Sequence, residues 1–167
     1  LAHLALYKKA SFLERLATKS LVNKSIALYQ KWAATSAENN AARLEILLAA
    51  KAYMAGNNHL AKKHLKTALE FAEQYQLIQE KALANELLAK LSFELNEQMA
   101  FNEYIFEARF CYHQWGAVAK VLQLEQKYKL QHVASHLRAT EKHHHPDVAT
   151  LSTDSLDLQT VIKASQA

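Results

Sequence analysis

Apolar residues recur mostly at three- and four-residue spacing from the start of the chain. Leu4, Leu6, Tyr7, Ala10, Leu13 and Leu16 mark a first amphipathic helix. A second is predicted from about Ser20 to Ala34, with Leu21, Ile26, Leu28, Tyr29 and Trp32 as its apolar contribution, and Ser36 to Asn40 should separate it from the next helix. The rest of the chain then repeats. Leu47-Leu48-Ala49 returns as Leu87-Leu88-Ala89, Tyr53 as Phe93, Leu65 as Ile105, Ala68 as Ala108 and Tyr75 as Trp115, every pair 40 residues apart. Each unit reads as a helix, a short polar break (Gly56-Asn57-Asn58, then Asn96-Glu97-Gln98) and a second helix. The small Ala68 and Ala108 suit places where the two helices of a hairpin approach closely.

The predicted fold is all-α: antiparallel helical hairpins stacked as an α-solenoid, because one such hairpin cannot bury its apolar face alone. It resembles a tetratricopeptide-type array, although its period exceeds the usual length of about 34 residues. A further helix from Gly116 to about Tyr128 should cap the stack, with Gly116 supplying a positive φ at the end of the helix before it. After Gln131 the periodicity fades, and His, Ser, Thr and the only Pro accumulate up to Thr153. Residues 1–130 are therefore expected to form the helical-repeat domain, 131–153 a linker, and 154–167 the start of a further helix. Asp154 or Ser155 can cap that helix, and Leu156, Leu158, Val161 and Ile162 give it an apolar side that asks for a partner.

Composition agrees with this plan. Among 167 residues only Gly56, Gly116 and Pro146 interrupt a chain rich in Ala, Leu, Lys, Gln and Glu, all good helix formers. No run approaches the roughly 18 apolar residues of a membrane span, and the start lacks the order of a signal peptide, so a cytoplasmic setting without membrane contact is expected. Cys111 stands alone in an aromatic run and reads as a buried apolar thiol. The net charge of +4 is uneven, the first half being the more basic. Lys62, Lys63 and Lys66 are interleaved with Ala and Leu rather than with stacking aromatics, so a solvated face is expected there and nucleic acid is not.

The ordered set Ala108, Tyr112, Trp115-Gly116-Ala117, Lys120, Leu124-Glu125 and Tyr128, followed by a Ser/Thr-containing linker and Leu156-Asp157-Leu158 through Val161-Ile162, resembles one place in a known family. It is similar to the segment between the AAA-type ATPase module and the GAF domain of large bacterial, especially cyanobacterial, multi-sensor signal-transduction kinases. The sequence departs from that pattern at Gln114 and Lys129, where the family usually has Arg and Pro. The resemblance implies a parent with a serine/threonine-kinase-like domain, an ATPase, a helical repeat, a GAF sensor and a histidine kinase. ATP and magnesium would belong to that parent. The start at Leu1 and the unterminated apolar pattern at the end fit an internal piece of such a protein.

Within these residues no catalytic site, cofactor site or metal site is expected. Phosphoryl transfer needs a glycine-rich phosphate loop and magnesium ligands, whereas the two glycines stand 60 residues apart and no Asp precedes Asp147. His132 and His136 share one side of a helical pattern near the His143–His145 run, but no Cys and no firmly placed carboxylate completes a metal set. Trp115 and the aromatic run Phe101, Tyr104, Phe106, Phe110 and Tyr112 read mainly as core, with a peptide groove as the alternative. The functional expectation is a non-catalytic connector whose partners are proteins: neighbouring domains, and a second copy through the last helix. The alternative is a free-standing peptide-binding adaptor using the concave face of residues 40–113.

Overall fold

The computed structural model describes residues 12–130. The first part of the first expected helix (Leu4, Leu6, Tyr7 and Ala10), the linker, the last helix with Leu156, Leu158, Val161 and Ile162, and the histidines from His132 onward lie outside them. Among the described residues the structure is all-helical: α1 (Phe12–Thr35), α2 (Ala37–Met54), α3 (Asn58–Gln74), α4 (Ile78–Glu94), α5 (Gln98–Gln114) and α6 (Val118–Tyr128). Each helix packs on the next, α2 also touches α4, and the result is a stack of antiparallel hairpins, an α-solenoid.

The turns follow a fixed rhythm. Gly56, Gln76, Asn96 and Gly116 all adopt positive φ (78°, 55°, 57° and 82°) and lie twenty residues apart. At each, the next amide reaches back five residues: Asn57 to Ala52, Leu77 to Ala72, Glu97 to Ser92 and Ala117 to Tyr112, at 2.8–3.0 Å. This left-handed closure uses helix-end carbonyls that would otherwise be unsatisfied. The 40-residue repeat is thus two equal helix-and-turn steps, and Gly116 ends α5 as its sequence position predicts. Asn57 adds a side-chain cap, accepting from the Leu60 amide at 2.9 Å.

Three layers form between α2, α3 and α4. Ile46 meets Ala68 and Ala84, Ala49 meets Leu65 and Leu88, and Ala52 meets Ala61 and Leu91. Every layer pairs a branched residue with at least one Ala, which lets the helices approach closely, and a small cavity of about 50 Å³ remains beside Ala49, Ala61, Leu65 and Leu91. The same positions on α5 continue the pattern, since Ala61, Leu65, Ala68 and Ala72 correspond to Phe101, Ile105, Ala108 and Tyr112, all buried. Ala68 and Ala108 have no exposed surface, as close hairpin contacts require.

Two boundaries differ from the sequence expectation. The chain runs as one helix through Ser20, because no Gly or Pro breaks it and the Thr18 hydroxyl donates back to the Glu14 carbonyl at 2.8 Å. The separation after it shrinks to Ser36 alone, whose φ of −149° turns the chain while its hydroxyl donates to Glu38 and accepts from Asn39.

Candidate functional site

Most of the tryptophan-glycine block locks α6 to the body of the stack. Ala108 and Tyr112 are buried on α5, and Leu124 is buried on α6. Tyr112 donates its hydroxyl to Glu86 at 2.7 Å, and Lys120 donates to the other oxygen of the same carboxylate at 2.8 Å, its ammonium 5.7 Å from the Tyr112 ring centre. Burial first, and then the bond to Glu86, push the Tyr112 phenol far above its ordinary range, so it remains a donor. Glu125 accepts from Arg109 at 2.6 Å, tying α6 to α5. Tyr128 packs against Phe93 and Phe101 with ring centres 6.0 and 5.2 Å away. Ala117 precedes the first residue of α6, and Lys129 ends that helix with φ of 51°, a conformation closed to proline.

Trp115 behaves differently from the core residue that the aromatic run suggests. It sits at the end of α5, is 46% exposed, and forms one wall of a cleft with Tyr112, whose ring lies 6.3 Å away. The helix stops at Trp115 and Gly116 turns the chain away, so no following turn covers the indole. The cleft has a volume of about 320 Å³. Tyr29 of α1, Arg43, Ile46 and Leu47 of α2, and Gln79, Glu80 and Leu83 of α4 complete it. Tyr29 in turn meets Trp32 edge-on at 5.1 Å. Phe101, Tyr104, Phe106 and Phe110 do not line this cleft. Phe101 instead joins Phe93 and Tyr128, and Phe110 points largely to solvent.

The charges of the cleft are stacked. Arg43 donates to Glu80 at 2.6 Å, with the arginine side chain 48% exposed and the carboxylate only 8%. The guanidinium is held charged above its ordinary range, chiefly by that bond. A visiting molecule therefore meets a cation set among apolar and aromatic side chains, with the balancing carboxylate beneath it. The sequence singled out Trp115 and Tyr112 for this place but missed Tyr29, Arg43, Gln79, Glu80 and Leu83. The four helices that bring them together are separated by up to 86 positions (29 to 115), and no local pattern records that meeting.

Elsewhere, burial raises the Cys111 thiol, which keeps it protonated near neutral pH, and the neighbouring Lys81 only partly opposes this. Among the described residues no group of three His, Cys, Asp or Glu side chains is placed to hold a metal ion, and no helix is long and apolar enough to cross a membrane.

A stack of helical hairpins defines the chain as an α-solenoid, with an aromatic-walled cleft on its surface. No protein-family model matches it, and no solved structure matches it. Over 57 residues, 34% of this chain, it is 35% identical to the hybrid signal transduction histidine kinase G of Dictyostelium discoideum. That stretch covers 2% of the length of the kinase, so the likeness is to a small part of that protein.

Proposed function

We propose that the chain is a non-catalytic helical connector of a large signal-transduction kinase, joining an upstream ATPase module to a downstream sensor and histidine kinase. The likeness to the hybrid kinase is the observation that carries this reading. The architecture supports it physically: in a solenoid each helix contacts mainly its neighbours, so the stack transmits position from one end to the other as a semi-rigid arm. The block from Ala108 to Tyr128 serves as the clamp that fixes α6, through Tyr112 and Lys120 on Glu86 and Arg109 on Glu125. The helix expected from about Ser155 would pass the movement on by pairing with a second copy. Sequencing the coding region for roughly 300 codons on each side, the span of one or two typical domains, tests the reading. Upstream ATPase and downstream histidine-kinase sequences would establish it, and a start and a stop codon close to the two ends would overturn it.

Trp115 favours a second reading, a peptide-binding adaptor, because a half-exposed indole beside an open cleft gives a peptide side chain something to pack on. Under that reading Trp115→Ala leaves the melting temperature nearly unchanged and abolishes capture of peptides selected on the wild-type chain.

A further inference from the structure

The first described helix carries an apolar seam that the stack does not use. Val22 and Ile26 of α1 are buried, whereas Leu21 is 58% exposed, Leu28 44% and Trp32 44%. Their spacing of seven and then four residues places them on one side of the helix, with the half-buried Ser25 between Leu21 and Leu28. Steps of seven and four are the rhythm of a helix that packs along another helix. Lys24 and Lys31, themselves seven apart and both exposed, run beside this seam. After Glu14 in its first turn, the charged residues of α1 are Arg15, Lys19, Lys24 and Lys31, so the stretch that carries Leu21, Leu28 and Trp32 is basic.

From this we infer that α1 is a docking face for a second helix, one that is amphipathic and acidic along its flank. Large apolar side chains of the incoming helix would fall between Leu21, Leu28 and Trp32, and its carboxylates would meet Lys24 and Lys31. Charge decides the occupant. Residues 1–11 contain Lys8 and Lys9 and no acid, so they carry the wrong sign. A second copy of α1 would bring lysines against lysines, which costs rather than contributes at close range. A helix whose flank carries Glu or Asp satisfies both the seam and the lysine row. This docking face does not depend on the kinase context, because it is built from α1 alone.

The test uses the full chain with Trp115→Phe, which leaves Trp32 as the sole tryptophan. The probe is a designed amphipathic peptide of about four heptads with Leu on one seam and Glu on both flanks, beside a twin with Lys in place of Glu. Binding of the Glu peptide should shift Trp32 emission to the blue, and the Lys peptide should bind at least about tenfold more weakly. Lys24→Glu with Lys31→Glu should reverse that preference, and Leu28→Asp should weaken the Glu peptide by at least about tenfold. These positions are exposed, and circular dichroism confirms that each variant remains folded. Equal binding of the twins, no binding of either, or a preference that survives the charge reversal would overturn the inference. So would a blue shift produced by phosphatidylserine vesicles and not by the Glu peptide, which would make the seam a lipid contact.

Discussion

The four helix-ending turns offer a test that reaches the backbone directly. Gly56 and Gly116 fill two of the left-handed positions, while Gln76 and Asn96 fill the other two at φ of 55° and 57°. A side chain in this region crowds its own carbonyl at a cost of roughly 1–2 kcal/mol, and glycine escapes that cost but loses more freedom on folding, by roughly 0.5–1 kcal/mol. Gln76 is exposed and its turn is held by main-chain bonds, so removing its side chain sacrifices no contact in the core. Gln76→Gly should therefore stabilise the stack by about 0.5–1 kcal/mol, a rise of about 2–4 °C in melting temperature. Asn96→Gly should gain less, because asparagine tolerates the left-handed region better than glutamine does. In the reverse direction, a Cβ added at Gly56 or Gly116 would meet nothing within 4 Å, so Gly116→Ala should cost only the conformational difference, about 1 kcal/mol. Thermal and urea denaturation of the variants followed by circular dichroism measure all three. Destabilisation by Gln76→Gly, or a loss of several kcal/mol in Gly116→Ala, would refute the reasoning.

Further consequences can be checked in the same assays. Ile105→Ala empties a fully buried site on α5 and should cost about 2–5 kcal/mol, whereas Trp115→Ala, at a half-exposed site, should cost less than about 1 kcal/mol; a larger loss at Trp115 would return the indole to the core. Tyr112→Phe removes the donor to Glu86 while Lys120 remains, so a loss of about 1 kcal/mol is expected in urea titration. The Glu97 carboxyl is held below its ordinary value of 4.5, first by the hydrogen bond from Lys62. The stability it lends is therefore complete above that ordinary value and is lost as the pH falls through its lowered one. Glu97→Gln should flatten the acid limb of a stability–pH profile below pH 4.5 and leave its neutral region in place.

What the sequence made legible was whatever recurs. Leu65 and Ile105, or Ala68 and Ala108, occupy matched core positions because the turns keep step, and a step that repeats is visible as self-similarity. Gly56 and Gly116 announced their turns by residue type. Gln76 did not, since its left-handed turn rests on main-chain bonds and on the buried Ala72 whose carbonyl it closes, none of which a glutamine advertises. The unbroken α1 was hidden for a related reason. Thr18 and Ser20 look like punctuation, yet a hydroxyl that bonds back to the preceding turn leaves the helix intact.

The cleft was the least legible feature because an aromatic residue has the same letter whether it is covered or not. Phe101, Ile105, Ala108 and Tyr112 lie on the buried side of α5 and Phe110 on its outer side, so reading the whole aromatic run as core is wrong for Phe110 as well as for Trp115. Trp115 lies one step past the last full turn, where helical spacing no longer assigns a side, and its surroundings come from α1, α2 and α4 rather than from its own helix. Arg43 escaped notice for the same reason. A lone arginine on a helix is ordinary, and it becomes a feature of a site only because α4 places the buried Glu80 beneath it and Trp115 closes the cleft that it helps to line. Residues that serve the repeat can be read from the repeat, whereas residues that serve a surface are defined by neighbours the repeat does not encode.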